Sequence, residues 1–512
     1  MVDDQSAVEL RYLRILLLCC FLLGVFGNIL FYGKQLGISY PLFTVIFLII
    51  FFAYLKSLHL EWQKPGLWLL LPLLFLSASF AFYTNETLLI LNFLAIPFLL
   101  VAQTLLTAGA NRYHWFDIRF MLDILEGTFG RTLGNIAIPF TITRDLGKGQ
   151  SDQQRYEVLR RVLTGIVIAL PLLLVVIPLL SSADLVFSHY LGKLPEYLRL
   201  IRLGELIGRT LLIIVITVFS FAYLQSFQGS RAEIIAGAES YSKPLELQKR
   251  WDPISASTFL TLLNLVYIIF AVIQFSYLFG GGQFTLPAGY TYAEYARQGF
   301  FELVVVTLIN FSIYILVINF VHDSRRHLYN LFRMLLSLLA VSTLILLISS
   351  FFRLALYEEA YGYTFARVAA HALIIYLFIL FLVAIYRIWQ DKQSLLKTFI
   401  LVSLVAYLIF NFFGIDRFIA ASNIERYFKT GEIDVHYLTY LSDDAVPQLV
   451  TLLGVPDNDV APYIENDLYL RKERLLTQKW QSFNWSSFRA AAILQDYQLE
   501  WQTLDYQPYI MD

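Results

Sequence analysis

Apolar residues along the chain fall in long blocks parted by short polar segments, at approximately 12–30, 40–55, 66–82, 87–107, 161–180, 210–226, 255–279, 298–320, 331–351, 367–389 and 395–413. A helix needs roughly 20 apolar residues to cross the hydrocarbon layer of a bilayer. Helices and closed barrels alone satisfy their backbone polar groups there. The blocks therefore predict an all-α, polytopic transmembrane helix bundle of about 11 helices, in a range of about 10 to 12 because the second and third blocks are short. Arg11 and Arg14 precede the first block in the order of a secretory signal. No small-x-small site follows it near Gly24 to Ile29, so a retained signal anchor is expected.

The same pattern divides the chain into four parts. Residues 1–107 hold the first four spans, 108–160 form a long connection, 161–413 hold spans five to eleven, and 414–512 lack any further apolar block. Within the connection, Phe116, Phe120, Ile124 and Phe129 alternate with Asp117, Arg119, Asp123, Glu126 and Arg131 between Trp115 and Asn135. That spacing suits either a helix lying in the headgroup plane or one packed on its neighbours. The last part reads as a small helical extramembrane segment, with helical periodicity at 434–453, 460–483 and 486–499 and punctuation by Pro447, Pro456 and Pro462. Its size permits either a marginal domain or a set of short helices docked on the bundle.

Composition supports lipid as the solvent, since 58% of residues are hydrophobic and only 15% charged. A net charge of −1 implies no nucleic-acid partner. Cys19 and Cys20 are adjacent inside the first block, a spacing that fits packing rather than a disulfide or zinc site. With the N-terminus assigned to the cytoplasm, the inner segments collect 22 Lys and Arg and the outer loops 8, the remaining 8 lying in the C-terminal segment. This bias favours a cytoplasmic N-terminus and, with an odd number of spans, an extracytoplasmic C-terminal segment. That segment carries fifteen acidic and eight basic residues.

Standard catalytic and cofactor signatures are missing: there is no Walker A loop, HExxH, CxxC or dinucleotide fingerprint, so no cofactor is expected and an enzymatic role is disfavoured. Gly280 to Gly282 read as a turn, and His322 and His327, flanking Asp323, Arg325 and Arg326, as a positive-inside anchor rather than a metal site. More informative are three polar stretches at the outer ends of spans. One places Asp184 directly after an apolar run; a second puts Glu294, Gln298 and Glu302 at i, i+4, i+8 beside Arg297; a third holds Glu358 and Glu359, then Tyr363, Arg367 and His371 at four-residue spacing. With Arg353, the candidate polar cluster is Asp184, Glu294, Arg297, Glu302, Arg353, Glu358, Glu359, Arg367 and His371. Ionisable residues this close to hydrocarbon either pair to lock helix ends or line a pocket.

These stretches, SADLVF at 182–187, YAEYARQGFFEL at 292–303 and LYEEAYGYTFAR at 356–367, together with NIERYFKTGEIDVHYLTYLSDDAVPQL at 423–449 and WQSFNWSSFRAA at 480–491, resemble an uncharacterised bacterial multi-pass membrane family known by its domain of unknown function. The likeness runs from about residue 160 onward. It implies a bacterial cytoplasmic-membrane protein and transfers no activity. Three functions follow as expectations: transport or lipid and solute handling through an outward-facing pocket, with an anionic lipid or small solute as ligand; an envelope sensor or scaffold whose 414–512 segment binds a protein partner; and, more weakly, an enzyme using Asp184 and Glu302 as paired acids.

Overall fold

The computed structural model describes residues 2–146, 203–241, 251–279, 300–320, 326–390, 395–455 and 459–502, with scattered positions between 161 and 188. Among these residues the regular structure is helical, with no strand. The protein is an all-α polytopic membrane protein. Nine of its described helices are long and apolar enough to span a bilayer. They are α1 (Val2–Phe31), α2 (Ser39–Ser57), α3 (Lys64–Phe82), α4 (Glu86–Ala108), α8 (Leu203–Tyr241), α9 (Pro253–Phe279), α11 (Arg326–Tyr361), α12 (Phe365–Ile388) and α13 (Leu395–Phe412). The block at 298–320 forms α10 (Phe300–Phe320), an apolar helix of 21 residues with Glu302 in its first turn. Much of the block at 161–180 lies outside the described residues, as do Glu294 and Arg297 and the glycines at 280–282.

The chain forms two compact units. The first comprises residues 1–82, 91–242 and 479–484. Its core joins Leu16, Cys20 and Leu23 of α1 to Phe47, Phe51 and Leu55 of α2, Leu105 of α4 and Phe221, Leu224 and Phe227 of α8. Cys20 is fully buried there as a free thiol. Inside this apolar setting the polar side chains bond across helices: Asn92 Nδ2 donates to Ser79 Oγ at 2.9 Å, and the Tyr54 hydroxyl to Gln225 Oε1 at 3.0 Å. Such bonds fix helix register where apolar packing alone does not discriminate.

In the connection after α4, helix begins only at α5 (Phe120–Leu125), passes through a π turn at Glu126–Arg131 and resumes in α6 (Thr132–Asn135) and α7 (Ile138–Leu146). Residues 115–119 are turns instead of the start of one continuous helix, because Asp117 caps the chain there, accepting from the Arg119 amide at 2.9 Å. Phe120 and Ile124 are buried against the first unit, as is Asp123, whose Oδ2 accepts the Arg112 and Tyr113 amides at 2.9 Å each. Burial pushes the Asp123 carboxyl up from its ordinary value. The exposed apolar face is a different set: Ile118, Met121, Leu122, Leu125 and Phe129.

The second unit comprises residues 83–90, 243–478 and 485–512. Here α11 is central, packing against α9, α10 and α12. At 36 residues it spans about 54 Å, well beyond a hydrocarbon layer of about 30 Å, so its ends stand in the headgroup regions. Asn310 on α10 accepts from the Tyr267 hydroxyl of α9 at 2.6 Å and donates to Thr343 Oγ1 of α11 at 2.9 Å.

The remainder of this unit is the C-terminal segment. It contains α14 (Ile415–Thr430), α15 (Val435–Tyr440), α16 (Val446–Leu449), α17 (Ala461–Leu476) and α18 (Trp485–Gln495). The periodicity at 434–453 thus breaks into short helical pieces. Asp434 caps one start, accepting from the Tyr437 amide at 2.8 Å, the chain is extended at Leu441 and Ser442, and Pro447 fits only the first turn of a new helix. The helix expected at 460–483 stops at Leu476. Ile415, Ile419, Leu438, Leu449, Leu452, Ile464, Leu468 and Leu494 form one core with Leu88 of α4 and Val368 of α12.

Candidate functional site

The turn between α11 and α12 is built by three residues. Gly362 ends α11 at φ +79°, a left-handed conformation that a side chain resists, and its amide donates to the Glu358 carbonyl at 2.8 Å. Thr364 then caps α12, its Oγ1 accepting from the Arg367 amide. The reversal lays the last turns of α11 beside the first turns of α12. Glu358 and His371, thirteen positions apart, meet across it.

Glu358 is 2% exposed, and its Oε2 lies 3.0 Å from His371 Nδ1. On the other side of the imidazole, Nε2 lies 3.3 Å from the Phe351 carbonyl, and the Phe351 ring packs at 4.5 Å between centroids. A carbonyl oxygen only accepts, so Nε2 carries a hydrogen. The proton between Nδ1 and Oε2 then belongs either to an imidazolium facing a carboxylate or to a carboxylic acid facing neutral histidine. Both arrangements hold the same number of protons. Glu358 Oε1 is buried and has no hydrogen-bond partner among the described residues.

Arg367 pins the turn. Its guanidinium lies 4.3 Å over the Tyr357 ring, and Nη1 donates to the Tyr361 carbonyl at 2.9 Å and to the Gly362 carbonyl. It satisfies the end of α11 instead of meeting a carboxylate among the described residues. Glu359 is exposed and Arg353 half-buried on α11.

The C-terminal segment grips the same turn through its main chain. Asn423 of α14 accepts from the Tyr363 amide at 2.7 Å and donates to the Tyr363 carbonyl at 2.8 Å. Arg426 donates from Nε to the Glu359 carbonyl at 2.9 Å and from Nη2 to the Ala360 carbonyl at 2.6 Å, with Glu432 Oε2 at 2.7 Å as its counter-charge. The Phe365 amide donates to the Tyr437 hydroxyl at 2.7 Å. A second grip holds the α3–α4 turn, where Asn85 Nδ2 donates to Asp416 at 2.7 Å and the Thr84 amide to Asp444 at 3.1 Å. Ser442 ties these two acids together, its amide donating to Asp416 at 3.1 Å and its hydroxyl to Asp444 at 3.0 Å. Burial, with Asp416 adding to it, holds the Asp444 carboxyl above the ordinary carboxylate range. Below them Arg471 is buried among the Thr439 and Leu441 carbonyls, at 2.8 and 2.7 Å, and the Asp443 and Asp467 carboxylates.

A family model described as a domain of unknown function, DUF4153, matches residues 70–452. The chain belongs to this family. No curated protein and no solved structure matches it. The DUF4153 region starts well before residue 160, inside α3, and takes in the Glu358–His371 pair, Arg367 and the gripping residues Asn423, Arg426 and Tyr437. It ends before the 480–491 stretch.

Of the sequence-derived candidates in this DUF4153 protein, Glu358 and His371 come together and Arg367 lies beside them. Asp184 belongs to the other unit, is exposed, and caps its own turn by accepting the Val186 and Phe187 amides at 2.7 and 3.2 Å. Glu302 is exposed in the first turn of α10. A cavity of about 330 Å³ lies near the other end of α11, lined by Ile254, Ser257, Thr258, Thr261, Leu262 and Leu331. No group of three or more metal-ligating side chains occurs among the described residues. The gripping residues Asn423, Arg426 and Tyr437 were not singled out from sequence. The quoted NIERYF run, with Asn423 and Arg426 three apart on one helix face, is the signal that contained two of them.

Proposed function

We propose that this membrane protein is a non-enzymatic sensor in which the contact between Glu358 and His371 governs how firmly the C-terminal segment is held, and so its availability to an envelope partner. One observation carries this reading: Glu358, which meets His371, directly precedes the residues 359–365 whose main chain Asn423, Arg426 and Tyr437 hold. The charged groups around the turn are Arg353, Glu359 and Arg367 on α11 and α12 and Glu425, Arg426 and Lys429 on α14. The reading takes the bacterial cytoplasmic membrane as the location, with the N-terminus inside and the C-terminal segment outside, as the charge bias favours.

The test is amide exchange of residues 359–365 and 415–440 in the full chain in lipid nanodiscs, compared between the wild type, Glu358→Leu and His371→Leu. Protection of both segments should fall in each variant, where the pair is broken. Glu358→Gln, which keeps a hydrogen-bonding group toward His371, should retain most of it. Unchanged protection in folded Glu358→Leu and His371→Leu refutes the reading.

Transport is the second reading, favoured by the polar line of Asn264, Tyr267, Asn310 and Thr343 inside the second unit. Proton or solute flux in proteoliposomes that is lost in Glu358→Gln would support it; negligible flux in both proteins counts against it.

A further inference from the structure

A strap from the C-terminal segment, residues 479–484, is laced into the ends of the first three spans within the first unit. The Ile38 amide donates to the Phe483 carbonyl at 2.8 Å, Ser482 Oγ to the Gln35 carbonyl at 2.8 Å, and Asn484 Nδ2 to the Phe80 carbonyl at 2.8 Å. Gly37 permits the approach, since a Cβ there would lie about 2.5 Å from the Ser482 backbone. Because α1 ends at Phe31 and α3 at Phe82, the strap lies where spanning helices leave hydrocarbon, at the level of the lipid headgroups. Trp480 and Phe483 are exposed on it, at 58% and 36%. Tryptophan is the residue most characteristic of that layer.

The strap also brings a charge. Lys479, from a segment with an acidic excess, joins Lys34 of the α1–α2 loop and Arg209 near the start of α8. Burial and the charges of Lys479 and Arg209 push the Lys34 ammonium below the ordinary lysine range. Lys34 Nζ donates to the Ile29 carbonyl and, with the Gln481 amide oxygen turned toward it, to Gln481 at 2.7 Å; that oxygen also accepts from Trp480 Nε1 at 3.2 Å. Arg209 lies 4.8 Å over the Tyr32 ring, and the one acid it meets among the described residues is Glu205, at 2.7 Å. Among the described residues three cations thus converge against one carboxylate, in a protein whose net charge is close to neutral.

We propose that Lys34, Arg209 and Lys479 seat the phosphate of an anionic phospholipid from the leaflet that faces the C-terminal segment, with Trp480 and Phe483 in contact with its glycerol and upper acyl region. Charge complementarity and depth select this occupant: a phosphate at headgroup level meets all three cations, while the two aromatics face the adjoining apolar layer.

The test compares retention of phosphatidylglycerol against phosphatidylcholine by the full chain, counted by mass spectrometry of protein released from mixed nanodiscs. The wild type should prefer the anionic lipid, and each charge removed in the series Lys479→Gln, Lys34→Gln and Arg209→Gln should lower that preference about fivefold. Lys34→Arg with Lys479→Arg should keep it, as should Lys56→Gln at the end of α2 with Lys64→Gln at the start of α3. Lys479→Gln, on an exposed position, carries the test even where the triple variant does not fold. An unchanged preference in folded Lys479→Gln overturns the proposal, and so does displacement of the lipid by millimolar inorganic phosphate, which would assign the cations to a free anion.

Discussion

Replacing Asn423 by leucine isolates the grip of the C-terminal segment on the α11–α12 turn. The side chain is half-buried and similar in volume to leucine, so the change removes two hydrogen bonds, at 2.7 and 2.8 Å, with little loss of packing. Each bond contributes about 0.5–1.5 kcal/mol net, and the Tyr363 amide and carbonyl are left without their side-chain partner. The expected cost is about 2 kcal/mol, which corresponds to roughly 30-fold in a local opening equilibrium. Amide exchange at Tyr363 reads this directly, because Asn423 Oδ1 is the acceptor of that N–H. Exchange at Tyr363 should accelerate by about that factor, while amides in the middle of α17, held by their own helix and by Arg471, stay protected. Unchanged exchange at Tyr363 in a folded variant would refute the grip. Loss of protection through α17 as well would refute the claim that it acts locally.

Two further outcomes follow from the buried charges of the C-terminal segment. Arg471→Leu should destabilise that segment by about 3–5 kcal/mol, since it leaves Asp467 and two carbonyls without their donor, and denaturant unfolding followed by tryptophan fluorescence should show it. Asp444 is held protonatable above its ordinary value by burial, so the folded state takes up a proton that the unfolded chain does not. Its contribution to stability is fully present below the unfolded value and declines as pH rises through the raised one; Asp444→Asn should remove that decline, and an unaltered stability–pH curve would contradict it.

The spans were legible because hydropathy depends on length and composition alone, and a run of 18 or more apolar residues has few other uses. What hydropathy did not show is how far helix continues beyond lipid. The block expected at 210–226 is part of a helix from Leu203 to Tyr241, whose ends carry Glu205, Arg209, Arg231 and Glu239 and so leave no apolar signal. The site was legible in part. Glu358 and His371 were named, but within a group of nine residues on periodic grounds, whereas their meeting depends on a reversal set by Gly362 and Thr364. The gripping residues were not legible because they bond main-chain atoms, which every residue has. An Asn that reads a backbone amide and carbonyl leaves no complementary pattern at position 363. The 434–453 stretch failed for a related reason: its apolar periodicity is real, yet local caps at Asp434 and Pro447 divide it.

Because Asn423, Arg426 and Tyr437 touch backbone atoms of residues 359–365, these contacts respond to where the turn is, while the Tyr363 ring adds packing against Phe418. In the proposed reading, a signal from the Glu358–His371 pair arrives as displacement of the turn. The contacts that oppose displacement are those of Arg367 to the Tyr361 and Gly362 carbonyls and the Gly362 amide to Glu358. Glu358 takes part in both systems, with its side chain in the pair and its carbonyl in the helix cap. A change in the pull on its side chain is thus delivered one residue from the first carbonyl that Arg426 holds. Under the proposed reading, that shared residue is the physical route of the coupling: a change at the Glu358 side chain acts on the residue whose main chain caps α11, next to the carbonyls that α14 holds.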